Sequence, residues 1–124
     1  MIKKPSRKTL IRQLDLICSQ LVRARDKRCV LQSPRCNGVL QAGHLFTRAA
    51  YSTRWNLRNI WAQCAGHNLR HEYDSSVFQL WFIDRFGLEE YKELAREHHK
   101  VRKWSNPDLR ELLEEYKHLL TRIR

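Results

Sequence analysis

No stretch of the chain approaches the roughly 20 consecutive apolar residues that a membrane-spanning helix needs, so no membrane partner is expected. The opening Met1-Ile2-Lys3-Lys4-Pro5 is basic and lacks the apolar run of a signal peptide. The expectation is a soluble protein of a bacterial cytoplasm, encoded by the bacterium or by a phage or prophage. Internal repeats, low-complexity tracts and long linkers are also missing. At 124 residues this leaves one compact domain rather than a repeat array or two ordinary domains. Negative charge is in short supply as well: 13 Asp and Glu stand against 24 Lys and Arg, a net charge of +11. A surplus of that size on a small protein sustains a positive potential, whose natural partner is a polyanion such as DNA. The basic residues are not gathered on one amphipathic helix face, which disfavours an anionic membrane surface.

What is present divides into three parts: an N-terminal helix over 1–28, a turn-rich centre over 29–73 and a helical part over 74–124. Leu10, Ile11, Leu14, Ile17, Cys18, Leu21 and Val22 recur at helical spacing over about residues 6–27, with Arg7, Lys8, Arg12, Arg23 and Arg25 on the other face. Cys18 lies in that apolar stripe and reads as a core thiol. The centre carries its turn residues at Pro34, Asn37, Gly38, Gly43 and Gly66. Its strand-like segments, 39–46 and 51–55, predict a β-hairpin closed by Thr47-Arg48-Ala49-Ala50, followed by a short helix from about Cys64 to Tyr73. Beyond it, Ser75 or Ser76 can cap a helix that Gly87 ends, a second helix covers about 88–100, and Asn106-Pro107 opens a third as cap and first residue. Trp55, Trp61 and Trp81 are expected in the core, with Trp104 capping the last helix and His98-His99 on the surface. The fold class is α+β: a small ββα centre wrapped by helices from both ends.

Four cysteines without a signal peptide point to metal before disulfides. Two pairs of soft or borderline ligands stand out, Cys29-x6-Cys36 and Cys64-x2-His67. A tetrahedral zinc ion takes four such groups, usually as two short-range pairs. With all four positions filled by protein, the zinc is read as structural, stapling a core too small to be generous.

Around these ligands lie Gly43-His44, Arg54-Trp55-Asn56, Asn59 in Asn59-Ile60-Trp61-Ala62-Gln63-Cys64, and Asn68 directly after His67. In this order they resemble the HNH (ββα-metal) endonucleases, in the variant whose last motif residue is Asn. A narrower resemblance, over about 29–95, is to the NinG (Rap-type) phage recombination nucleases, with Ala42-Gly43-His44, Gln63-Cys64 through Asn68, and downstream Tyr73, Leu80 and Arg85-Phe86-Gly87-Leu88 in the helical tail. The resemblance implies a hydrolase that cuts phosphodiester bonds in DNA. His44 is then the general base, Asn59 orients its loop, and Asn68, with His71 one helical turn on, holds a catalytic Mg²⁺ or Mn²⁺. HNH nucleases usually place Asp or His before the base as a metal ligand; this chain has Gly43, which leaves His71, Glu72, Asp74 or oxygens of DNA and water to complete the shell. Arg48, Arg54, Arg58 and Arg70 flank the motifs as candidate DNA contacts, Arg54 alternatively covering Trp55. The resemblance further implies approach through the minor groove. No recognition helix is evident, so weak sequence preference is expected, with branched or nicked DNA as possible targets.

Two other readings stay open. A zinc-stabilised module that binds nucleic acid without cutting it is favoured by the missing carboxylate at Gly43, and a protein-interaction domain with an incidental basic surface would show no DNA affinity. A single centre cuts one strand per engagement, so a monomer would act as a nickase and a homodimer could break both strands.

Overall fold

The computed structural model describes residues 3–123; Met1 and Ile2, part of the basic opening, lie outside them. Five helices and a two-stranded sheet follow in the order α1 (Arg7–Asp26), β1 (Leu40–His44), β2 (Ile60–Cys64), α2 (Ala65–His71), α3 (Ser76–Phe86), α4 (Leu88–His99) and α5 (Asn106–Ile123). The class is α+β. No helix among the described residues is long and apolar enough to cross a membrane.

Helix α1 forms where its apolar spacing requires. Ser6 caps it, accepting the Thr9 N–H, and Lys27 ends it in the left-handed region at φ 67° with its N–H on the Arg23 carbonyl. The stripe Leu10, Leu14, Ile17, Cys18, Leu21 and Val22 is buried against Leu109, Leu113, Tyr116 and Leu120 of α5, with Trp55 and Ile60 completing one core. Truncating any one of its fully buried leucines to Ala would cost about 2–5 kcal/mol. The cap of α5 is Ser105, not the expected Asn106: its Oγ accepts the Asp108 N–H, and the Asp108 carboxylate accepts the Ser105 N–H. This reciprocal pair is a capping box. Trp104 does not cap the helix. It sets its ring edge against Trp55 at 5.5 Å and donates its indole N–H to the Tyr51 carbonyl.

The hairpin differs from expectation. β1 pairs antiparallel with β2, Leu40 opposite Cys64 and His44 opposite Ile60, and 51–55 is not a strand. Between the strands the chain coils through successive four-residue turns that share their end residues, with Ala50 N–H on Thr47 O, Thr53 on Ala50, Asn56 on Thr53 and Asn59 on Asn56. These turns drop Trp55 into the α1–α5 core, where it is 2% exposed. Aromatic content that resembles a strand is here explained by burial of a turn.

Alternation along the strands divides the sheet's faces. Ala42 and Ile60 belong to the α1–α5 side. Leu45 and Trp61 face a second core with Phe78, Phe82 and Leu94 of α3 and α4. Gly87, at φ 97°, makes the sharp break between those two helices. His98 is half-buried rather than free on the surface: it stacks on Phe46 at 4.9 Å, and its carbonyl accepts the Ser52 hydroxyl. His99 is exposed.

Candidate functional site

Cys29 follows α1, Cys36 sits in the loop before β1, Cys64 ends β2 and His67 lies in the first turn of α2. Their ligand atoms all fall within 4.8 Å of one another. His67 Nδ1 stands 3.5, 3.6 and 3.1 Å from the sulfurs of Cys29, Cys36 and Cys64. A tetrahedral zinc with its usual bond lengths separates N and S ligands by about 3.5 Å, so the cluster could bind a metal such as zinc with little movement. Supporting contacts are present too. Ser33 Oγ lies 3.3 Å from His67 Nε2, and backbone N–H groups of Ser33 and His67 donate to Cys36 and Cys64 sulfurs. Such outer hydrogen bonds fix the ring and favour thiolate. Burial pushes Cys29 up; on Cys64 it is outweighed by the His67 N–H and ring and by neighbouring donors, which bring the thiol down to about 6. The knuckle needs Gly38, at φ 78° with its Cα against Ala65: a Cβ there would fall 2.7 Å from the Ala65 Cβ.

A cavity of about 720 Å³ opens beside β1, with His44, Asn68, His71, Glu72, Arg48 and Asp15 in its wall. Strand end and helix thus bring His44 and Asn68 to one space. His44 Nε2 lies 3.0 Å from the Arg54 carbonyl, which can only accept, so this nitrogen carries the proton and Nδ1 is the free base. Burial lowers the ring's pKa below the ordinary 6.5, against the raising effect of that hydrogen bond. Asn68 donates Nδ2 to Gln41 Oε1 at 3.0 Å, leaving Oδ1 as its open acceptor. His71 donates Nε2 to the Leu45 carbonyl at 3.2 Å, and its Nδ1 is buried without a partner. Of the two carboxylates offered as alternatives, Glu72 lines the cavity, whereas Asp74 accepts from the Ser76 N–H and hydroxyl ahead of α3. Asn56 is a turn residue, accepting the Arg58 N–H at 2.9 Å.

Asn59 is fully buried. Its Oδ1 accepts the Phe46 N–H, and its Nδ2 donates to the carbonyls of Phe46 and Thr53. The amide therefore pins both ends of the turn-rich connection immediately after His44. Replacing Asn59 by Ala leaves two backbone groups, the Phe46 N–H and carbonyl, without this partner, while the Thr53 carbonyl keeps the Asn56 N–H. At about 1–3 kcal/mol each, the expected loss is about 2 kcal/mol or more, measured by urea unfolding. A change under about 0.5 kcal/mol, the range of an unconstrained surface site, would show that the loop is held by other contacts.

Residues 2–124 match the family described as "Bacteriophage Lambda NinG protein". The chain belongs to the NinG family. It is 26% identical over 117 residues to "Protein ninG" of Salmonella phage P22, covering 92% of this chain and 57% of that protein. The chain thus spans somewhat more than half the length of the curated relative it matches. No solved structure matches it.

In this NinG-family chain the four flanking arginines lie in different settings. Arg48 is exposed in the cavity wall, 3.9 Å from Asp15. Arg58 pairs with Glu90, and Arg70 stands 3.9 Å from Asp74; both are half exposed. Arg54 is different: only 12% exposed, it forms a two-pronged ion pair with Asp15 through Nε and Nη2 and donates from Nη1 to the Arg48 carbonyl. That is an internal brace rather than a free phosphate-binding fork. Sequence reasoning missed Asp15, which also accepts the Trp55 indole N–H. Burial alone would raise its carboxyl, but these hydrogen bonds and the Arg54 charge outweigh it and hold the group below the usual range. It missed Gln63 too, whose fully buried amide presses against Gly43. A polar residue inside an otherwise apolar strand, two positions from a glycine on the facing strand, was the available signal.

Proposed function

We propose that this chain is a metal-dependent DNA endonuclease, with β1, β2 and α2 serving as a ββα-metal unit of the HNH type. The observation that carries the reading is the shared cavity of His44 and Asn68, two residues 24 positions apart that phosphodiester hydrolysis would need side by side. In the proposed reaction His44 Nδ1 takes the proton of the attacking water, its ring held in the required tautomer by the Arg54 carbonyl. Asn59 keeps the loop after His44 in place. Arg48, exposed at the cavity wall, offsets charge on the phosphate. Asn68 Oδ1 and His71 Nδ1 are the acceptors left open to hold a divalent ion. A bound Mg²⁺ or Mn²⁺ supplies charge neutralisation and polarises the phosphate. The net charge of +11, with Arg58 and Arg70 half exposed, favours a phosphate backbone as partner and a contact set with little sequence information.

The test is supercoiled plasmid incubated with the metal-loaded protein. Conversion to the nicked circle is expected with Mg²⁺ or Mn²⁺ and not with excess EDTA. Salt-sensitive DNA binding with no cutting under any divalent ion would instead establish the non-catalytic zinc module, for which Gly43 is the specific argument.

A further inference from the structure

Three side-chain atoms in the described residues are buried without a hydrogen-bond partner, and two of them belong to one residue: Nε2 and Oε1 of Gln63. Gln63 is 0% exposed. Leaving a buried amide unpaired is costly, and native proteins rarely tolerate it without cause. A Leu or Met would fill the same space without that cost, so packing alone does not account for glutamine here. Its surroundings offer a reason. A Cβ built on Gly43 would lie 2.6 Å from Gln63 Nε2, 2.8 Å from its Cδ and 3.2 Å from Asn68 Oδ1. The amide of Gln63 and the open acceptor of Asn68 therefore converge on the volume that a side chain at position 43 would occupy. Asn68 belongs both to this junction and to the cavity wall, so the amide stands one side chain behind the cavity.

We infer that Gln63 takes the place of the side chain missing at Gly43, its carboxamide oxygen serving with Asn68 Oδ1 as a ligand for a hard divalent cation. The inference rests on the cation site of the proposed function and deepens it by naming the ligand. Chemistry favours this occupant: carboxamide oxygens are hard ligands, suited to Mg²⁺ and Mn²⁺ and not to the soft ions that thiolates select. A half-turn of the terminal amide exchanges Nε2 and Oε1, so Oε1 reaches the same point without moving the chain. Glycine at 43 is required by the arrangement, since any Cβ would displace the amide.

The experiment is Mn²⁺ binding to zinc-loaded protein without DNA, read by the electron paramagnetic resonance of free Mn²⁺ and by calorimetry. Gln63→Leu is expected to weaken Mn²⁺ at least tenfold without lowering the melting temperature, because it removes an unpaired buried amide. Gln63→Glu, which adds a carboxylate at the same reach, is expected to tighten Mn²⁺ at least tenfold. Mn²⁺ affinity unchanged in both variants, or no Mn²⁺ site in the parent protein, would overturn the inference. A Gln63→Leu variant too unstable to purify leaves Gln63→Glu decisive. The two failures are distinguishable: Mn²⁺ binding that follows residue 63 in a protein that never nicks plasmid refutes the nuclease and keeps the site. Nicking that persists while affinity ignores residue 63 does the reverse.

Discussion

Stripping zinc from zinc-loaded protein with a strong chelator at neutral pH is expected to lower its melting temperature by roughly 20 °C or more. The reason lies in α2. This helix has 7 residues, none of them buried, and so short a helix has no stability of its own. Its first turn is held by Cys64, whose sulfur caps the His67 N–H, and by the ligand ring itself. Structural zinc in finger peptides is worth about 10–16 kcal/mol, comparable with the whole stability of an ordinary domain. Without the ion, three thiols and an imidazole are left to hold the segment after α1 against the β2–α2 junction. Cys64→Ser should reproduce the chelated state and abolish binding of one zinc per chain, measured by elemental analysis. Cys18→Ala is the control: that thiol, 2% exposed between α1 and α5, is pushed up to about 12 by burial and stands apart from the cluster, so zinc content should be unchanged. Full zinc retention by Cys64→Ser would refute the proposed ligand set.

His44→Ala is expected to reduce plasmid nicking about 10²–10⁴-fold, the usual loss on removing a general base, while zinc content and melting temperature stay near those of the parent. The pH profile adds a sharper check. Burial holds the folded ring's pKa below 6.5, so at pH 7 the imidazole is mostly neutral in both the folded and the unfolded chain and contributes little pH dependence to stability. As pH falls through 6.5 the unfolded chain takes up the proton first, and the fold loses stability in that window. The free base in the folded protein persists to lower pH. Activity should therefore fall on an acid limb lying below pH 6.5, not centred on it, once partial unfolding has been measured separately. A limb at or above 6.5, or full activity in His44→Ala, would remove His44 from the role of base.

Helices were the legible part of this chain. α1, α3, α4 and α5 lie within a residue or two of the limits set by apolar spacing, because each buries one stripe and ends at a strong local signal such as Ser6 or Gly87. The four positions of the candidate metal cluster were legible from spacing, since two candidate ligands three residues apart at a helix start need no tertiary knowledge. The second strand was not. Ile60-Trp61-Ala62-Gln63-Cys64 is buried on both faces and lacks alternation, whereas Tyr51–Trp55 carries the aromatic content of a strand but spends it on filling a core. Asp15 and Arg54 are 39 positions apart, and nothing local announces that they pair. The same holds for His98, drawn inward by Phe46.

The contact between α1 and α5 also has a bearing on how the protein is made. Leu10, Leu14, Ile17 and Leu21 find their principal helical partners only at Leu109, Leu113, Tyr116 and Leu120, and Arg7 reaches the carbonyl of Trp104 just ahead of α5. A ribosome adding about 5–20 residues per second thus exposes a greasy amphipathic helix for several seconds before its mate exists. During that interval the nascent chain is a ready client for chaperones, and a chain terminated before Leu109 is a fragment whose oily helix α1 invites aggregation or proteolysis.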